Sequence, residues 1–280
     1  MPELPEVETV VRGLRKSLVG RTLVRLTLNR RDLRFPIPHQ VKRLEGQRIT
    51  QVTRQAKGAL VTGQSGEGLL LHLGMSGRLL ITEGPLGQLQ KHDHVVFEFD
   101  QPLGHVVFND PRRFGALDYV ASEAALEQHP RLANFGIDPT TQALSAQWLF
   151  DVSRGRTTNL KAFLLDQRLI AGLGNIYVAE ALFEAGLSPQ MQTGAISAEQ
   201  AGALVSAIQD VLKRAIAAGG SSLRDYVQAD GELGYFQHQW KVYGRQGQAC
   251  GCCGSQIERI VQAGRSSFYC PLCQGKDAWV

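Results

Sequence analysis

Residues 250–273 read CGCCGSQIERIVQAGRSSFYCPLC, and all five cysteines of the 280-residue chain fall inside this stretch. Four of them make Cys250-x2-Cys253 and Cys270-x2-Cys273, with sixteen residues between the pairs. Two such pairs, each on a tight turn and joined by a hairpin, bring four thiolates to the corners of a tetrahedron and close a zinc site. The metal stabilises a module too short to build a core of its own. Four sulfurs leave no open position, so one structural Zn2+ is expected on Cys250, Cys253, Cys270 and Cys273. Cys250-x-Cys252 is an alternative first pair; the x2 register matches the second pair and leaves Cys252 as a spare thiol. Such clustering is unlike a disulfide framework spread through a fold. Arg265 sits in "QAGRSS", an expected loop tip, where a solvated arginine is the ordinary alternative.

Upstream of this module the pattern is helical. "LSAQWLFDVSR", "LKAFLLDQR", "NIYVAEALFEAG" and "SAEQAGALVSAIQDVLKRAIAAGG" give four helices, the last stopped by Gly-Gly. Before the third, Gly172–Gly174 runs into Asn175 at the expected N-cap of an amphipathic helix. Free N–H groups there make a ready phosphate site, although the motif taken alone fits an ordinary helix-turn-helix with an asparagine cap better. Farther upstream, from Arg21 to Val120, short strands punctuated by glycine read "RTLVRLTLN", "GLLLHLGMSGRLLI", "HDHVVFEFD", "HVVFND" and "FGALDYV", the grammar of an antiparallel sandwich or barrel.

The first ten residues, MPELPEVETV, start an amphipathic helix near Pro5, with Glu6 and Glu8 at its positive end and Val7, Val10, Val11, Leu14 and Leu18 along one face. Pro2 and Glu3 lie outside that helix and are unexplained by it. Residues 1–60 hold thirteen Arg or Lys against five Asp or Glu, a net of +8 in a chain whose total is +4, so the remainder carries −4. A basic region of that size suits a polyanionic partner, and equally a solvated surface. With 43% hydrophobic residues, no run near ~18 apolar residues and a charged opening, the expectation is a cytoplasmic protein without membrane segments.

Two further motifs carry chemistry. "NDPRRFG" could be a turn with one phosphate contact and a core phenylalanine, or a wedge in which Arg112 and Phe114 enter a duplex that has lost a base from its stack. Met75, flanked by Gly74 and Gly77 in "HLGMSG", could be core or a flexible plug.

In order along the chain, "PELPEVET", "RQAKGAL", "HLGMSG", "KHDH", "NDPRRFG", "GLGNIYVAEALF", "GGSSLRDYV", "GYFQHQWKVYGR" and the four-cysteine hairpin together resemble the bacterial formamidopyrimidine-DNA glycosylases, over nearly the whole length. The resemblance implies an α+β multidomain fold: an N-terminal antiparallel β-sandwich with attached helix (1–130), a linker (131–148), a helix-two-turn-helix domain with a lesion-capping loop (149–236) and a zinc ribbon hairpin (237–280). It implies excision of oxidised purines from double-stranded DNA, in a cytoplasmic, nucleoid-associated monomer. Pro2, once Met1 is removed, matches the nucleophile. A model α-amino group is ~10% deprotonated at pH 7, a lysine ~0.04%. Glu3 matches the acid/base group, Glu6 a supporting carboxylate, and Lys57 a phosphate-contacting lysine beside the reaction centre. His72, His92, Arg113, Asn175, Tyr243 and Arg265 match DNA contacts, and Met75, Arg112 and Phe114 the triad that fills the void left by the flipped nucleotide. Ser221 to Phe236 resembles the loop over the flipped base, with glycines at 231 and 234 suited to a mobile lid. The nearest rival is the sister class resembling endonuclease VIII, which takes oxidised pyrimidines; "PELPEVET" and "RRFG" favour the purine branch. A non-catalytic damaged-DNA-binding protein would lack Pro2, Glu3 or Lys57, and all three are present.

Overall fold

The computed structural model describes residues 2–100, 104–221 and 234–275. Two compact units emerge, one from residues 1–133 with 218–237 and one from 134–217 with 238–280.

In the first unit, α1 (Leu4–Leu18) starts with Glu3 at its N-cap and Pro5 in its first turn. Its face of Val7, Val10, Val11, Leu14 and Leu18 is buried, each side chain contributing about 1.5–3 kcal/mol. The helix lies against β2 (Ile49–Gln55) and β3 (Gly58–Gly63). Those strands belong to an antiparallel sheet ordered β2-β3-β4-β8, with β4 spanning Gly68–His72 and β8 Ala116–Val120. A second antiparallel sheet, ordered β1-β6-β7-β5, is made of β1 (Leu23–Leu28), β6 (Asp93–Phe99), β7 (His105–Asn109) and β5 (Arg78–Thr82). One apolar core joins them: Leu26, Phe97 and Phe108 from one sheet meet Val52, Val61 and Leu71 from the other. The sandwich expected from the strand grammar is therefore present.

Two local results differ from the reading of the sequence. The stretch 68–81 divides into β4 and β5, which sit in different sheets and are joined by residues 73–77. The β2–β3 hairpin was absent from the five strand stretches, because Thr50, Gln51, Thr53, Arg54 and Gln55 blur the alternation of β2.

The second unit holds α2 (Ala146–Ser153), α3 (Leu160–Leu164), α4 (Asn175–Glu184) and α5 (Ala198–Ala217). Ser145 and Asn159 cap α2 and α3, accepting from the Trp148 and Ala162 amides. The expected cap of α4 is corrected: Gly174 is the N-cap and Asn175 the first helical residue. Nor is α4 amphipathic, since Ile176 through Phe183 are all buried and α3, α5 and the zinc hairpin pack around it. That hairpin pairs β9 (Glu258–Gln262) with β10 (Arg265–Tyr269) through Ala263 and Gly264, both at positive φ (47° and 73°), as a two-residue primed turn requires. No helix among the described residues is long and apolar enough to cross a membrane.

Candidate active site and nucleic-acid interface

Chain termini are usually frayed, yet here Pro2 and Glu3 are buried, Glu3 being only 6% exposed. A reciprocal capping box with Glu6 fixes Glu3 at the start of α1. The Glu6 carboxylate, 3% exposed, accepts from two backbone amides: Glu3 N–H at Oε2 (2.8 Å) and Ser221 N–H at Oε1 (2.8 Å). Its oxygens hold backbone in place.

Residues 222–233, part of the expected capping loop, lie outside the described residues, but the chain on either side of them is paired. Ser221 bridges Tyr235, and the Tyr235 and Phe236 amides donate to Ala218 and Gly220 carbonyls, each at 3.0 Å. A Cβ on Gly234 would come within 2.4 Å of the Gly220 oxygen, so this glycine serves close approach of the two ends.

Lys57 is buried in the β2–β3 turn, after Ala56 at φ 52°. Arg54, a residue the sequence reading passed over, ties that turn to α1: its guanidinium donates to Glu8 Oε2 and to the Ala56 carbonyl, both at 3.1 Å. Across the sheet, His72 pairs with Gly58. Its Nδ1 accepts from the Gly74 amide at 3.0 Å, which leaves Nε2 to carry the proton. Burial, then the charges of Lys57, Arg34 and Arg131, push the His72 imidazole down to about 4.

A groove of about 590 Å3 is lined in part by Arg34, His72, Met75, Arg112, Arg113 and Phe114. Phe114 is 42% exposed and the Arg112 guanidinium lies 4.9 Å over its ring. Arg113, at φ 56°, is exposed and its amide donates to the Asp110 carbonyl. The structure thus brings Met75, Arg112, Arg113, Phe114 and His72 to one groove. His92 is half-buried, stacks edge-on to His94 (6.2 Å) and accepts from the Asp110 amide through its carbonyl.

In the second unit, Asn175 Nδ2 donates to the Ser266 carbonyl (3.0 Å), and its Oδ1 is buried with no partner among the described residues. The same carbonyl accepts from Lys161 Nζ (2.8 Å), which also donates to Ser267 Oγ (2.7 Å). Arg265, the exposed first residue of β10 rather than the turn itself, precedes this junction. Tyr243 is held edge-on between Trp240 (5.0 Å) and Phe268 (5.2 Å). Its amide, with those of Lys241 and Val242, donates to the buried Glu180 carboxylate at 2.7–3.0 Å, and burial raises that carboxyl above its usual range. Lys161 and Glu180 were missed, although a lone charge inside an apolar run ("LKAFLL", "IYVAEALF") was the available signal.

The Sγ atoms of Cys250, Cys253, Cys270 and Cys273 lie within 4.8 Å of one another, with 3.4 Å between Cys253 and Cys270 and 3.9 Å between Cys250 and Cys273. Tetrahedral zinc with ~2.3 Å Zn–S bonds needs sulfurs about 3.8 Å apart. The amides of Cys252 and Cys273 point at the Cys250 and Cys270 sulfurs (3.4 Å each), which suits thiolates. These residues fit one structural zinc ion, and Cys252 stays exposed outside the set.

The architecture is that of a two-unit DNA-processing enzyme with a zinc ribbon. Family models match in sequence order: the formamidopyrimidine-DNA glycosylase N-terminal domain at residues 1–117, its H2TH domain at 135–227, and the zinc finger found in FPG and IleRS at 247–275. Among relatives, the formamidopyrimidine-DNA glycosylase of Cereibacter sphaeroides is 53% identical, covering 98% of this chain and all of the relative, and that of Ruegeria pomeroyi is 51% identical over the same shares. Among solved structures, MutM (Fpg) of Thermus thermophilus shares 38% identity at a TM-score of 0.86 (98% and 99% covered). A Lactococcus lactis Fpg variant bound to Fapy-dG DNA shares 32% at 0.89 (98% and 100%). The chain belongs to the formamidopyrimidine-DNA glycosylase family.

Proposed function

We propose that the chain is a bifunctional DNA glycosylase and abasic-site lyase of base excision repair, working as a monomer in the bacterial cytoplasm on duplex DNA with oxidised purines. With Met1 removed, the Pro2 amine attacks C1′ and the base leaves with the glycosidic electron pair. Glu3 delivers a proton to O4′ and the C1′–O4′ bond breaks; the nitrogen gives up its own proton, the departed base takes one up, and an iminium joins Pro2 to C1′. The iminium acidifies the C2′ hydrogen. Its removal expels the 3′ phosphate by β-elimination; a further proton loss expels the 5′ phosphate by δ-elimination. A one-nucleotide gap flanked by phosphates results.

Around this chemistry, Lys57, His72, His92, Arg113, Asn175, Tyr243 and Arg265 hold phosphates. Such contacts set position and carry no sequence information. Neutral His72 can donate through Nε2, and Asn175 Nδ2 has a second hydrogen to give. Met75, Arg112 and Phe114 fill the void of the extruded nucleotide.

The observation that carries the reading is the buried, doubly anchored N-terminus, since an ordinary helix start needs no ordered Pro2. Borohydride trapping tests it. Protein with an extended or uncleaved N-terminus has its amine locked in an amide; it should still bind abasic DNA and form no trapped adduct. Undiminished trapping would move the nucleophile to a lysine, Lys57 first. Oxidised pyrimidines are a second reading, because the Lactococcus lactis Fpg has been solved with oxidised-pyrimidine DNA. Side-by-side trapping on 8-oxoguanine and oxidised-pyrimidine duplexes separates them, with faster trapping expected on 8-oxoguanine.

A further inference from the structure

The 73–77 loop, which carries Met75, and the 111–114 turn, which carries Arg112 and Phe114, come from different parts of the chain and meet at one buried acid. Asp110 is fully buried. Its Oδ1 accepts from Ser76 Oγ (2.6 Å) and its Oδ2 from the Gly115 amide (2.7 Å), while Ser76 Oγ in turn accepts from the Arg112 amide (3.1 Å). The turn is thus tied to Ser76, the residue beside Met75, directly at the Arg112 amide and through the Asp110 carboxylate, which also holds the Gly115 amide. Behind the carboxylate, His94 Nε2 lies 2.9 Å from the Asp110 carbonyl, so the acid's own backbone is held from the sheet. Packing closes the junction further: a Cβ on Gly74 would fall 2.3 Å from the Phe114 carbonyl carbon, and one on Gly115 would fall 2.9 Å from Asp110 Oδ2. Loops exposed to solvent ordinarily move independently. These two share a charge-assisted, water-excluded junction, the kind that sets geometry firmly.

We infer that Ser76 and Asp110 are positioning residues whose clasp fixes the spacing between Met75 and the Arg112–Phe114 pair, so that the wedge is pre-formed before DNA arrives. This rests on the void-filling reading above. Neither residue touches the reacting atoms; both act through the wedge, by removing the ordering that insertion would otherwise require.

A mutant cycle on excision of 8-oxoguanine from duplex DNA tests it, with cleavage of a pre-formed abasic site measured in parallel. Ser76→Ala should slow excision about tenfold. In a Met75→Ala/Arg112→Ala/Phe114→Ala background, where no wedge side chain remains to be positioned, the same change should cost less than about twofold. Asp110→Asn provides a second arm of the cycle, since an amide cannot accept from both Ser76 and Gly115. Equal losses in both backgrounds would overturn the inference, because the clasp would then act through general stability. If Met75→Ala/Arg112→Ala/Phe114→Ala leaves excision at the native rate, the void-filling reading itself fails, and the clasp falls with it; that result is distinct from equal losses.

Discussion

Glu6 and Ser221 stand 215 positions apart in sequence and share a 2.8 Å hydrogen bond, the Ser221 amide donating to Oε1 while Glu3 donates to Oε2. One carboxylate therefore ties the first residues of the chain to the entry of the 222–233 segment. Glu6→Gln keeps the shape but turns an amide donor toward one of the two N–H groups, stranding it at about 1–3 kcal/mol. The expected result is a lower Tm and borohydride trapping slowed about ten- to a hundredfold. Native trapping rates in the variant would contradict the anchoring role.

Arg54 gives a second handle on the same region. Its guanidinium reaches Glu8 and the Ala56 carbonyl together, a fork that a lysine cannot reproduce. Arg54→Lys should release the turn that presents Lys57, lowering trapping about tenfold with little change in Tm. A large fall in Tm at unchanged trapping would make Arg54 a stability residue only.

His72 predicts a pH dependence. Its folded value, pushed down to about 4 chiefly by burial and then by Lys57, Arg34 and Arg131, lies below the ordinary 6.5. Between those values the unfolded chain binds more protons, so this histidine's contribution to stability is complete above about pH 6.5 and is lost as pH falls toward 4. His72→Gln should flatten the unfolding profile across that window. NMR titration of the free protein should find a neutral ring at pH 6 protonated on Nε2; an imidazolium there would refute the assignment.

The zinc hairpin is tied to the helices at Ser266, whose carbonyl takes hydrogen bonds from both Lys161 and Asn175. Removing the metal by chelation, or Cys270→Ser, should abolish tight duplex binding while the circular dichroism of the sandwich persists. Tight binding after verified metal loss would show that the hairpin is dispensable for DNA contact.

Periodic segments were legible in the sequence, and their exceptions follow from burial. Val7, Val10, Val11, Leu14 and Leu18 announced α1 because one face alone meets the core. In α4 the amphipathic expectation failed because the helix is enclosed on all sides, which composition alone does not disclose. Cys250, Cys253, Cys270 and Cys273 were readable from spacing, since a metal site is set by local turns. The roles of the anchors Lys161, Glu180, Asp110 and Arg54 were not, because each holds a partner distant in sequence that only the fold brings near.

Glu180 has a consequence of another kind. The successive amides of Lys241, Val242 and Tyr243 converge on one carboxyl group, and successive amides that converge in this way elsewhere act as a receptor for phosphate. In this chain the three donors are already taken by an internal carboxyl group. A polyanion lying on this unit meets only the donors left untaken, so the carboxyl group selects by exclusion which backbone amides are open to it.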